Sequence, residues 1–215
     1  MSDLTYTLLS DGSSDSALMP VLDWLLRASG IACAIQGQWA ELRQLPRPPT
    51  GLAKRLRVAV DLYPCDLLFV HRDAETEPYQ SRENEIERAM AAAFDDQPQP
   101  ACVPVIPVRM CEAWLLFDET AIRTAAGNPS GRVALKLPLL ARCEDLPDPK
   151  DLLQEILREA SELSPRRRAK LRISLMMRRI TEYTQDFAPL RTLTAFAALE
   201  RALQEVIRTN GWHRR

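Results

Sequence analysis

Residues 66–75 read Asp-Leu-Leu-Phe-Val-His-Arg-Asp-Ala-Glu, an unbroken apolar run that ends on a histidine and then meets an acidic pair. Pro64 lies before the run and Arg72-Asp73 behind it, so it has the length of a strand but no polar face. Such a strand is covered on both sides, as in a parallel sheet with crossover helices over each face. Helical patterns flank it. Leu52, Leu56, Ala59, Val60 and Tyr63 share one face of a helix over 52–63, and Ile86, Ala89, Met90 and Ala93 mark another.

Further out, residues 5–9 (TYTLL) are β-prone and run into Ser10-Asp11-Gly12-Ser13-Ser14-Asp15, a first strand with a polar turn. Leu18, Val21, Leu22 and Leu25 then fall at helical spacing, with Ser13 or Ser14 as N-cap, Pro20 in the first turns and Gly30 as the stop. A second strand is expected over 31–35 and a proline-rich loop over 39–50. Residues 102–108 are β-branched but carry Pro104 and Pro107, which points to a sheet edge or a partly irregular strand. The alternation predicts an α/β fold: a mostly parallel sheet of about four strands flanked by helices.

Beyond Met110 the pattern turns helical. Segments 112–117 and 119–126 precede a stop at Gly127-Asn128-Pro129. A helix starting at Asp148-Pro149 carries Leu153, Ile156, Leu157 and Ala160; Ile173, Met176, Met177 and Ile180 define another, and Phe196, Leu199, Leu203 and Val206 a last one. The expected organisation is an α/β domain over 1–130 with a helical C-terminal extension over 131–215 packed on it.

With 46% hydrophobic and 27% charged residues the chain can bury a sizeable core, and its net charge of −1 creates no global field for polyanions. Binding to nucleic acid therefore needs a local basic patch. The five cysteines are scattered, with no CxxC and no Cys/His spacing that argues for zinc, and read as reduced thiols. No basic leader and no apolar stretch of about 18 residues occurs, so a cytoplasmic protein with no membrane partner is expected. The absence of GxxxxGK[ST], GxGxxG and GxSxG argues against a P-loop, a dinucleotide site and a nucleophile elbow.

Ligands of open parallel sheets bind where strands hand over to loops, at their C-terminal ends. Two of these handovers are acidic here: Asp11 and Asp15 after the first strand, Asp73 and Glu75 after the third. If the two strands are neighbours, the carboxylates converge. Two like charges about 4 Å apart repel by about 1 kcal/mol in water and about 4 kcal/mol at an effective dielectric of about 20, so the cluster calls for a cation. Carboxylates and water suit Mg²⁺, Mn²⁺ or Ca²⁺. Asp15 has the alternative reading of a helix N-cap.

The order of LLSDGSSDSALMPVL, LLFVHRDAE, CEAWLLFD and FAPLRTLTAFAALERAL resembles the domain-of-unknown-function family 4276, which is grouped with Toprim-like domains, and the likeness covers most of the chain. The resemblance implies a Toprim-like (Rossmann-like) sheet that carries out Mg²⁺-dependent phosphodiester chemistry on nucleic acid. Asp11 then stands where such domains have Glu and serves as general base and metal ligand; Asp73 and Glu75 stand where they have Asp-x-Asp and hold the metal. Both exchanges alter reach by one methylene, and general-base geometry is sensitive to errors of about 1 Å. Relatives lie beside genes for ATPases and are suspected of serving in phage defence, so a separate ATPase subunit is an implied partner.

Arg109 and Glu112 follow the fourth strand on the same edge. Glu112 reads as a further ligand and Arg109 as a phosphate clamp, with a salt bridge or helix start as the alternative. Arg72 reads as a phosphate contact or as a counter-charge. His71, ending a buried strand, reads as structural, and His213 has no evident role. Arg82, Glu83, Glu85, Glu87 and Arg88 read as a solvated helix face. The densest basic run is Arg166, Arg167, Arg168, Lys170, Arg172, Arg178 and Arg179; its first five members are the candidate nucleic-acid surface, with a solvated helix surface as the alternative. Two other functions fit the same pattern: a non-catalytic metal-binding interaction module of an ATPase-containing complex, and a hydrolase of small phosphorylated molecules.

Overall fold

The computed structural model describes residues 3–12 and 14–212. Four strands, β1 (Asp3–Leu9), β2 (Ala34–Trp39), β3 (Leu67–His71) and β4 (Ala101–Val105), form one parallel sheet in the order β2-β1-β3-β4. β1 and β3 are therefore central neighbours, as the convergence of their acidic loops requires. Every residue of β3 is buried. Its side chains alternate between the two faces: Leu67 and Phe69 belong to one core and Leu68 and Val70 to the other.

Helices α2 (Leu52–Leu62) and α3 (Tyr79–Ala93) cover the Leu68 and Val70 face with Leu56, Ala59, Ile86 and Met90. The opposite face takes α1 (Leu18–Ala28) together with the C-terminal helices. These are α4 (Glu119–Ala125), α5 (Pro149–Ala160), α7 (Ile173–Tyr183) and α8 (Thr194–Thr209), while the short α6 (Pro165–Arg168) buries no residue. α8 packs on edge strand β4, and α7 packs on a 3-10 turn at Ser14–Ala17. Leu153, Ile180 and Phe196 thus share one apolar cluster with Tyr6 and Phe69.

Three local readings are corrected. The second strand begins at Ala34 rather than 31, because Ile31 closes α1 instead. Gly30 takes a left-handed backbone (φ 86°), its N–H bonds the Arg27 carbonyl, and the Ile31 N–H reaches back to the Leu26 carbonyl. That is a Schellman ending with its buried apolar residue. The expected 39–50 loop begins one residue later and holds a 3-10 turn at Leu42–Gln44. Finally, 112–117 is a 3-10 segment at Cys111–Leu115, buried throughout, so it has no solvent stripe to sustain an amphipathic helix.

The N-terminus of α1 uses no serine cap: its N-cap is Ala17, with no side-chain hydrogen bond, because the 3-10 turn leads straight into the helix. Ser13 and His213 lie outside the described residues. Among the described residues no helix is long and apolar enough to cross a membrane.

Candidate metal centre

The C-terminal edge of β1 and β3 carries two chains of alternating charge. The inner one begins at Asp15, buried in the turn after β1. Its Oδ2 accepts the Gly12 N–H at 2.7 Å, and its Oδ1 the Ser14 hydroxyl at 3.3 Å. Asp15 therefore ties down its own loop and does not cap α1. A Cβ on Gly12 would lie 2.9 Å from Asp15 Oδ1, so any larger residue there has to push the carboxylate aside.

Asp15 Oδ2 lies 3.2 Å from His71 Nδ1, and His71 Nε2 lies 3.2 Å from Asp73 Oδ1. Neither contact has hydrogen-bond alignment, so both ring nitrogens are buried without an aligned partner. Burial pushes the His71 pKa down, but the flanking Asp15 and Asp73 outweigh it and raise the imidazole to about 9. For Asp15, burial raises the pKa, and the contact and charge of His71, with the Gly12 N–H and Ser14 hydroxyl, bring it to about 2. The imidazolium is thus the internal counter-charge of two carboxylates.

Asp73 keeps 30% of its side chain exposed and accepts the Cys111 N–H at 3.1 Å. This bond pins the segment after β4 to the end of β3. Cys111 Sγ lies 3.7 Å from Glu112 Oε2, and Glu112 Oε1 lies 3.5 Å from Lys150 Nζ of α5. Burial, then the nearby carboxylates, push the Cys111 thiol far up.

The outer chain lies along the rim. Arg55, from the first turn of α2, and Arg72 both hold the Asp11 carboxylate. Arg72 also pairs with Glu85 at 3.0 Å, Glu85 with Arg82 at 2.9 Å, and Arg82 lies 3.7 Å from Glu75. Arg82 and Glu85 thus turn into the rim; the expected solvated face of α3 is narrower than its charge pattern suggests. The Glu75 side chain is 65% exposed. Glu75 and Arg109 both adopt left-handed backbones (φ 54° and 59°), and the Glu75 N–H bonds the Arg109 carbonyl at 3.0 Å. Such residues cost about 1 kcal/mol or more each and persist where surrounding bonds over-determine them.

The expected site is therefore divided. Asp15, Asp73 and Glu112 join the inner chain, while Asp11, Arg72 and Glu75 join the rim. Arg109 joins neither ion-pair chain; with Glu75, Glu77, Glu144 and Asp145 it lines a cleft of about 500 Å³. Arg166, Arg167, Lys170 and Arg172 are exposed, and the Arg168 Nε–H donates to the Leu163 carbonyl. This run leads into α7, the helix packed on the turn that carries Asp15.

Among the described residues the metal-compatible group of three or more His, Cys, Asp or Glu is His71, Asp73 and Cys111, whose ligand atoms all lie within 4.8 Å of one another. Spacing does not mark Cys111 and His71 as ligands, because their approach depends on the loop after β4 folding back to Asp73. Arg55 carries one legible signal, its place at the start of a helix crossing over to the next strand. Comparison with known protein families, curated proteins and solved structures finds no match to this chain.

Proposed function

We propose that the protein binds a divalent cation at the C-terminal edge of β1 and β3 and carries out phosphodiester chemistry on nucleic acid. One observation carries the reading. Asp15 and Asp73 flank the His71 ring, and the guanidinium groups of Arg55 and Arg72 stand on the rim beside them, at the ends of neighbouring strands. Phosphodiester cleavage needs that pairing of a cation site with fixed positive donors, since charge grows on the phosphate oxygens. The donors fit a divalent ion: Asp73 is reachable from solvent, and His71 Nε2, 3.2 Å from it, becomes a ligand when the ion displaces its proton.

Mg²⁺ or Mn²⁺ bound there would polarise the phosphate and lower the pKa of a bound water. Asp73 is the central ligand of this reading, with Asp15 and Glu112 beside it. Arg55 and Arg72 hold the anion, a place the Asp11 carboxylate fills in the free protein. The exposed Arg166, Arg167, Lys170 and Arg172 favour a polymer over a small phosphorylated molecule. The likeness to the 4276 family supports the same reaction class.

A second reading, the non-catalytic metal-binding module, is favoured by the pairing of Asp11 with two arginines, which leaves it poorly placed as general base. Nicking of supercoiled DNA and cleavage of labelled single-stranded DNA and RNA, each with Mn²⁺, separate the two. The proposed function requires cleavage that EDTA and Asp73→Ala both abolish. Metal-dependent thermal stabilisation without cleavage supports the module instead.

A further inference from the structure

We propose that His71 Nε2, an Asp73 carboxylate oxygen and Cys111 Sγ form a binding site for a transition-metal ion of the zinc, cobalt or iron class. Asp15 is the positioning residue that orients the imidazole. The inference rests on the preceding reading only in sharing Asp73, and it names a metal class that the carboxylates alone do not.

The donor set itself points to this class. The three ligand atoms lie within 4.8 Å of one another and supply one nitrogen, one oxygen and one sulfur. Mg²⁺ prefers an all-oxygen shell and keeps its waters, whereas imidazole and thiolate suit zinc and its neighbours. Three protein ligands with Asp73 open to solvent match the catalytic form of such sites, in which the fourth position is left to water or substrate. Glu112, with Oε2 at 3.7 Å from Cys111 Sγ, is the carboxylate at hand on the buried side.

The state of the imidazole points the same way, independently of the cluster's composition. His71 is 2% exposed, and both its ring nitrogens lack an aligned hydrogen bond. A buried imidazole that meets its carboxylates only in poor alignment is under-satisfied, and a bound ion would satisfy it. Metal-bound histidines give their second N–H to a carboxylate, which fixes tautomer and ring direction. Asp15 stands at that place, 3.2 Å from Nδ1, and is itself fixed by the Gly12 N–H and the Ser14 hydroxyl. In the order Asp15, His71, cation, Nδ1 faces the carboxylate and Nε2 faces the ion.

Chelator-treated full-length protein titrated with Co²⁺, followed by absorption spectroscopy, tests the site. The wild type is expected to take up one equivalent and show a near-ultraviolet thiolate-to-cobalt band that excess Mg²⁺ does not remove. Cys111→Ser, nearly isosteric, loses the band. Asp15→Asn keeps it but binds about 10- to 100-fold more weakly, with circular dichroism confirming that both variants are folded. No saturable Co²⁺ uptake, uptake without a sulfur band, or a band that survives in Cys111→Ser overturns the proposal. Mn²⁺-dependent nicking by the same preparations separates the two readings. A cobalt band without nicking keeps this site and removes the nuclease; nicking without the band does the reverse.

Discussion

His71 Nδ1 lies 3.2 Å from Asp15 Oδ2, joining the buried end of β3 to the turn that follows β1. Both groups are charged at neutral pH, with His71 raised to about 9 and Asp15 lowered to about 2. A buried ion pair is weak evidence for stability, because desolvation offsets much of the attraction. It does fix which carboxylates can share a cation, and it gives stability a defined dependence on pH.

His71 moves up from 6.5 to about 9, so its contribution is fully present below 6.5 and lost as pH rises through 9. Asp15 moves down from 3.8 to about 2, so its contribution is present above 3.8 and lost as pH falls through 2. The two overlap between 3.8 and 6.5. Thermal melts should therefore show the widest gap between wild type and His71→Gln in that window, narrowing through pH 9. A gap that stays constant with pH would rule out the charged pair.

Gly12→Ala places a methyl 2.9 Å from Asp15 Oδ1 and so displaces the carboxylate that steadies His71. Affinity for Mn²⁺ or Co²⁺ should drop by about tenfold, the scale of lost outer carboxylate support. Calorimetric titration reads this directly. Unchanged affinity would mean that Asp15 plays no orienting part.

Lys150→Met leaves the buried Glu112 without its cation. Lys150 is 47% exposed, so solvent screens the pair and the expected loss is about 1 kcal/mol rather than the full cost of a buried charge. Combining it with Glu112→Gln should recover most of that loss in denaturant unfolding. Additive effects would show the pair to be uncoupled.

Replacing Arg166, Arg167, Lys170 and Arg172 together by Gln should weaken binding to DNA of any sequence. On double-stranded DNA the salt dependence of binding should flatten by about 0.9 for each phosphate that the variant no longer neutralises. Fluorescence anisotropy at several salt concentrations measures both. An unaltered slope would show these residues to be solvated surface only.

The central strand is plain in residues 66–71, whose apolar run matches a strand buried on both faces. So is the meeting of the Asp11 and Asp73 loops, which needs only that β1 and β3 be neighbours. Ile31 misleads because an apolar residue after glycine serves a Schellman ending as well as a strand start. The direction of Asp11 is not legible, since it depends on where the first turn of α2 delivers Arg55. Likewise the approach of Cys111 to His71 is set by a backbone bond from a distant loop, Cys111 N–H to Asp73. Local patterns report burial and period; the pairing of charges across elements is a tertiary property.

Both proposed sites stand or fall with cation binding at Asp73, which an anomalous difference map from Mn²⁺-soaked crystals would reveal. A peak is expected about 2.0–2.2 Å from an Asp73 carboxylate oxygen, beside His71 and absent from Asp73→Asn crystals. No peak, or one confined to the Glu75, Glu77, Glu144 and Asp145 cleft away from Asp73, would contradict it.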